Sequence, residues 1–164
     1  MAHNLHRLIR VGVIGAGSCS AAEADQARTV GRLIARRGWA LLCGGLSGVM
    51  EAACQGAAEE GGLTVGILPG TDAASANPYV RLSLPTGLDY ARNVVLVRAS
   101  QALIAVAGEY GTLSEIAIGL KLGKPIAALG SWPDIEGLSQ VSSPEEAVAL
   151  VAHHLGERVE EDEP

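Results

Sequence analysis

The chain has 164 residues, a formal net charge of −6, and 48% hydrophobic residues with only 3% aromatics and no Phe. That length fits one domain, with a core that has to be built from Ala, Val, Ile and Leu. The acidic balance excludes the broad basic footprint that duplex DNA or an anionic lipid surface requires.

The positive charge is local. Arg28, Arg32 and Arg36 fall at helical spacing and read as a solvated stripe, not a nucleic-acid surface. The three cysteines, Cys19, Cys43 and Cys54, are odd in number and show no CxxC spacing, which predicts reduced thiols. No signal-type apolar region opens the chain, and no apolar run is long enough to span a bilayer. A cytoplasmic protein without a membrane partner is expected.

Taken in chain order, Ile9 to Ile14 reads as a buried strand running into the turn Gly15, Ala16, Gly17. Ser20 caps a helix through about Arg37, which Gly38 ends. Trp39 to Cys43 is a second strand leading into Gly44, Gly45 and Gly48, and a helix follows to about Glu60. Leu63 to Leu68 is a third strand. Pro69 to Pro78 is a small, polar, proline-bounded loop of the length that often covers a site, and Asn77 and Tyr79 are its candidate flap residues. Val80 to Leu84 is a short strand, and Asp89 to Ala99 a helix carrying Arg92 and Asn93. Ala102 to Val106 is a buried strand that turns at Gly108–Gly111 into a helix from Thr112 to Leu122. Pro125 to Leu129 is the last strand expected. Ser143 and Glu146 form a capping box for a final helix to Leu155. The pattern predicts a single-domain α/β fold, a Rossmann-like three-layer αβα architecture with a mainly parallel sheet, over 1–156. An acidic tail occupies 157–164.

In such sheets ligands bind outside the carboxyl ends of the strands, where the glycine clusters fall. Glycine admits close backbone approach, and a helix N-terminus suits a phosphate. The candidate phosphate contacts are therefore Gly17, Ser18, Gly44, Gly45, Ser47, Gly108, Gly111 and Thr112. Ser18 and Ser47 either donate to a ligand or satisfy turn amides. GAGS is not a full GxGxxG, and no acid ends the second strand, which argues against a standard NAD site. The Walker pattern is absent. His3, His6, His153 and His154 lack Cys or carboxylate at ligand spacing, so no protein-ligated metal is expected.

AGEYGTLSE, Ala107 to Glu115, resembles the PGGxGTxxE motif of the LOG family, long mislabelled as lysine decarboxylases. CGGLSGVMEA, starting at Cys43, resembles that family's GGGxxGxM. Arg92 falls where the family carries its functional Arg. SANPYV, TGLDYARN and GTLSEIAIGLKLGKPIAAL are closest to the short branch that includes molybdenum cofactor carrier proteins. The enzymatic branch usually has His-x-Arg-Lys; here the segment is Tyr90, Ala91, Arg92, Asn93. Ala107 and Glu109 stand where the motif has Pro and its second Gly, and a carboxylate at 109 would repel an anion unless turned away.

The resemblance implies a binding or carrier protein for a small phosphorylated ligand, the molybdenum cofactor or a nucleotide. The phosphate would sit at Gly111–Thr112, with Arg92, Asn93 and Glu115 supplying polar contacts. The alternative it implies is a phosphoribohydrolase of nucleoside 5′-monophosphates, in which Arg92 and Glu115 would be catalytic. Glu115 is expected in the first helical turn, stabilised by the dipole. The helix Thr112–Leu122 is apolar on more than one face, so a homodimer or homotetramer is expected.

Overall fold

The computed structural model describes residues 8–156. His3, His6 and the acidic tail at 157–164 lie outside the described residues.

The apolar runs become strands because each is short, rich in branched aliphatics and bounded by glycine or a helix cap. In order, the elements are β1 (Arg10–Gly15), α1 (Ala21–Arg36), β2 (Ala40–Cys43), α2 (Val49–Glu59), β3 (Thr64–Leu68), β4 (Leu82–Pro85), α3 (Arg92–Ala99), β5 (Ala102–Val106), α4 (Tyr110–Lys121), β6 (Ile126–Leu129), β7 (Ser139–Gln140) and α5 (Pro144–His154). The sheet order is β4-β3-β2-β1-β5-β6-β7, and every pairing is parallel. β7 was not expected from the sequence: it is two residues long, too short to carry a periodic signal.

β1 is flanked by β2 on one side and β5 on the other. From β1 the chain steps outward through β2 and β3 to β4. It then crosses back by α3 to β5 and moves the other way. Right-handed crossovers put helices of opposite stepping direction on opposite faces. α1, α2 and α5 accordingly pack on one face, around Val13, Leu41 and Ile104. α3 and α4 pack together on the other, around Ile14, Leu42 and Leu103. The reversal between β1 and β5 opens a crevice at the carboxyl edge of the sheet.

The helix caps follow local chemistry. Ser20 and Glu23 form a reciprocal capping box at α1. At α5 the box is displaced. Ser143 Oγ accepts from the Glu146 N–H at 3.1 Å, but the Glu146 carboxylate accepts from the N–H and hydroxyl of Ser142, not from Ser143.

The arginine stripe of α1 is not merely solvated. Arg28 and Arg32 both pair with Glu59, and Arg36 pairs with Glu60 at 2.8 Å, tying α1 to α2. The reason is closeness: an added Cβ at Gly31 would collide with the Ala53 carbonyl, and one at Gly56 with the Arg28 carbonyl. Glycine in a helix interior is normally unfavourable; here it lets two helices touch. Gly31→Ala is therefore expected to destabilise the fold by about 1–3 kcal/mol through overpacking, despite alanine's better helix propensity. A lowered urea midpoint checks this; a raised one would show that the helices can separate freely.

Candidate functional site

The crevice holds a cleft of about 250 Å³. Its floor is the end of β1 and the turn after it, Gly15 to Gly17, with Gly44 from the end of β2. One wall is α3 with Arg92 and Asn93, and the opposite wall is the start of α4 with Gly111, Thr112 and Glu115.

α4 begins at Tyr110, two residues before the expected start. Its first helical hydrogen bond runs from the Leu113 N–H to the Glu109 carbonyl at 2.9 Å. The N–H groups of Tyr110, Gly111 and Thr112 therefore have no acceptor inside the helix. Glu109 occupies the N-cap position, but its side chain makes no capping bond; it is exposed and lines the rim of the cleft. Ala107 and Gly108 precede it at φ 48° and 113°. Proline, held near −65°, could not take the first of these angles, so alanine replaces the motif's Pro where the turn demands it. Left-handed backbone at a non-glycine residue stores about 1–3 kcal/mol of strain, and such strain concentrates at functional turns.

The early start also moves Glu115 into the second turn of α4, where the helix dipole does little for it. Glu115 is only 6% exposed. Burial pushes its carboxyl up to about 7, against the opposing pull of the Arg92 guanidinium. The expectation of a dipole-stabilised carboxylate in the first turn is corrected: desolvation dominates. Arg92 Nη1 lies 3.7 Å from Glu115 Oε1 and donates to Asn93 Oδ1. Asn93 Nδ2 donates to Ser114 Oγ at 3.0 Å, and Ser114 donates on to the Gly111 carbonyl at 2.6 Å. This chain of bonds locks α3 against α4. Burial also makes the Arg92 cation harder to hold, and its Nε has no hydrogen-bond partner among the described residues. Among the described residues lining the cleft, Arg92 is the one cation.

Gly44 has a particular use. A Cβ there would stand 2.6 Å from Arg92 Nη2 and 2.8 Å from Met50 Sδ. The glycine makes room for the arginine, where the sequence reading had it make room for a ligand. Gly111 is different: an added Cβ would meet nothing within 4 Å, so its lack of a side chain keeps the cleft open.

Gly17, Gly44, Arg92, Asn93, Gly111, Thr112 and Glu115 thus come together. The remaining candidates do not line this cleft. Gly45 packs on Leu68, and Gly108 against the Thr112 side chain. Ser47 Oγ donates to the Gly17 carbonyl at 2.8 Å, so its proton is committed to joining two turns. Ser18 lies in the turn between β1 and α1, outside the lining. At the start of α2 the first N–H is taken by the chain itself, since the Val49 N–H donates to the Ala16 carbonyl at 3.0 Å. Asn77 is no flap: it donates to the Leu46 carbonyl at 2.9 Å, and its N–H to the Gly45 carbonyl at 2.8 Å, pinning its loop to the β2–α2 turn. Tyr90, Leu46 and Met50 line the cleft and were missed. Tyr90 stood in the sequence beside Arg92, in the position of the motif's His, and that was the signal available.

Among the described residues, no group of three or more His, Cys, Asp or Glu side chains is placed to hold a metal ion. No described helix is long and apolar enough to cross a membrane.

A doubly wound parallel sheet with its cleft at the switch point, walled by a helix N-terminus and a buried arginine, defines a Rossmann-like α/β protein of the LOG-like kind. The chain belongs to the SLOG cluster4 family, which matches residues 8–156. It is 48% identical over 142 residues to an uncharacterized protein of Archaeoglobus fulgidus, covering 87% of this chain and 93% of that one. Among solved structures it is similar to the molybdenum cofactor binding protein of the phototrophic bacterium Rippkaea orientalis, at TM-score 0.86 and 36% identity over 91% of this chain and 98% of that one. It is also similar to the Moco carrier protein of Chlamydomonas reinhardtii, at TM-score 0.84 and 34% identity over 92% and 99%. These similarities place the fold near the molybdenum cofactor carrier branch of the family.

Proposed function

We propose that this chain is a carrier that holds a small phosphorylated ligand, the molybdenum cofactor or a nucleotide, in the cleft between α3 and α4. The observation that carries this reading is the facing of the open α4 amides by Arg92 across one cleft. Free N–H groups at a helix start and a guanidinium are the two standard partners of a phosphate. Carriage, as opposed to turnover, is supported by the rim. Glu109 brings a carboxylate to the place where a substrate phosphate would be clamped, and a loosely clamped anchor loses alignment at the reacting carbon. The full-length similarity to a cofactor-binding and a carrier protein supports the same choice.

One observation favours the second reading, a nucleoside 5′-monophosphate phosphoribohydrolase. Glu115, buried and held near neutrality, has the proton affinity of a general acid or base. It would stabilise an oxocarbenium-like state by analogy with glycosidases.

The two readings part on turnover. A carrier at high concentration releases no adenine from AMP above the uncatalysed rate, and Glu115→Ala alters affinity only. Wild-type release of free base, read by chromatography and abolished in Glu115→Ala with binding intact, would establish the hydrolase instead.

The carrier works as an oligomer. The apolar residues left exposed include Val94 and Val95 of α3, at 40% and 39%, and Leu82 and Leu84 of the edge strand β4, at 47% and 41%. These residues lie on α3 and β4, whereas Ile118 and Leu120 of the α4 helix on which the expectation rested pack against the core; a second copy covering α3 and β4 satisfies the exposed edge. Sedimentation at micromolar concentration is expected to show a dimer or larger; a lone monomer would contradict it.

A further inference from the structure

The cleft does not end at Arg92. On the side away from α4, a second compartment of about 390 Å³ is lined by Leu46, Pro69, Asp89, Tyr90 and Arg92. Three of these residues, Leu46, Tyr90 and Arg92, also line the first cleft. A ligand anchored at the α4 amides can therefore pass Arg92 and place its far end here.

The chemistry of the two compartments differs. The first has amides and a cation, suited to an anion. The second offers two aliphatic residues, a tyrosine ring that is 88% exposed, and one acceptor-only side chain, Asp89. A flat heterocycle finds stacking surface on the tyrosine, and its polar edge then meets a carboxylate. A carboxylate accepts two hydrogen bonds side by side and donates none. The edge that matches is one carrying a ring N–H next to an amino group, as in guanine or a pterin. Adenine, which presents a donor beside an acceptor, does not match.

Backbone geometry holds the two charges in a set relation. Asp89 sits at φ 49°, a left-handed position that Asp and Asn tolerate better than most residues. Its N–H donates to the Pro69 carbonyl at 3.0 Å. The Arg92 N–H donates to the carbonyls of Asp89 and Tyr90. One short helical turn thus presents the acid to one compartment and the base to the boundary with the other.

Resting on the carrier reading above, we infer that Asp89 is a specificity-determining residue that selects ligands whose heterocycle bears an N–H/amino edge, the guanine or pterin class, with the ring in the Leu46–Pro69–Tyr90 compartment and the phosphate at α4. The test is calorimetric titration of the full chain with guanosine, inosine and adenosine 5′-monophosphates and with ribose 5-phosphate. The guanine nucleotide is expected to bind at least about 10-fold more tightly than the inosine nucleotide, the increment of one hydrogen bond to a charged group. Asp89→Asn keeps the left-handed turn but replaces one acceptor with a donor. It is expected to remove that preference and leave ribose 5-phosphate binding unchanged. Equal affinity of wild type for guanosine and inosine monophosphates overturns the inference, as does a preference that survives in Asp89→Asn. If ribose 5-phosphate binds but no base is preferred, the phosphate anchor stands and Asp89 has no selective role. If none of the four ligands binds, the phosphate reading falls and the inference falls with it.

Discussion

Replacing Arg92 with alanine is expected to weaken binding of a nucleoside 5′-monophosphate by about 100-fold, the equivalent of ~2.7 kcal/mol. Among the described residues Arg92 is the one cation lining the cleft. Its Nη1 is engaged by Asn93, while its Nε has no partner among the described residues and remains a donor for an incoming oxygen. A hydrogen bond to a charged group contributes about 1.5–3 kcal/mol, and the variant loses at least one such bond together with the opposing charge. Neutral Asn93 remains, and the exposed Glu109 at the rim is then left without an opposing cation in the lining, which disfavours an anion further. Arg92→Lys keeps the charge without the planar fork and is expected to recover only part of the affinity. Calorimetric titration of the three proteins reads this directly. An Arg92→Ala protein that is folded by circular dichroism and binds within about threefold of wild type would remove Arg92 from the ligand site. Glu115 supplies an independent readout. Without Arg92 nothing pulls its carboxyl downward, so its titration moves to still higher pH.

Replacing Glu115 with glutamine is expected to stabilise the unliganded protein at pH 8. The Glu115 carboxyl is raised from the ordinary 4.5 to about 7, chiefly because burial strips its solvation. Between those two pH values the native state holds a proton that the unfolded chain has released. Stability contributed by this group therefore falls as pH rises through that window, and stays low above it. The displacement amounts to about 3 kcal/mol, or roughly 6–12 °C in Tm for a domain of this size. Glutamine imitates the protonated form and does not lose stability as pH rises. The two proteins should melt together near pH 4, and the variant should melt higher at pH 8. The difference between them is the quantity to follow, because Glu59 and Glu60, held low by Arg28 and Arg36, slope the opposite way. Equal melting temperatures at pH 8, or a less stable variant, would show that Arg92 compensates the buried charge fully. Ligand binding should follow the same proton. A neutral Glu115 leaves the Arg92 charge uncancelled, so an anionic ligand is expected to bind more tightly below neutral pH.

Much of the fold was legible because its signals are local. The strand Ala102 to Val106 occupies the predicted residues, since a run of buried aliphatics between Ser100-Gln101 and Ala107-Gly108 has few other structures open to it. Ser20 and Glu23 announce the start of α1 within four consecutive positions. The glycines at the ends of β1, β2 and β5 announce the crowded carboxyl edge of the sheet, because an added Cβ at Gly15, Gly44 or Gly108 would clash there. Helix starts were harder where no side-chain cap exists. α4 begins at Tyr110 because Ala107 and Gly108, both at positive φ, turn the chain early, and alanine does not advertise such an angle.

The sequence by itself determined the alternation of strands and helices, the parallel αβα class, the glycine-rich edge, and the identities of Arg92, Asn93, Thr112 and Glu115 as its polar groups. Only the tertiary structure decided what those groups are to one another. Gly44 and Arg92 come from different elements, and their contact exists because β2 lies where α3 crosses back over the sheet. Arg92 and Glu115 meet because α3 and α4 share a face. Asp89 and Pro69 share a compartment because β4 returns beside β3. Cap and turn preferences act over a few bonds, so they can be read along the chain. The solvation of a charge, and with it the proton affinity of Glu115, is set by surfaces that distant segments bring together when the sheet assembles.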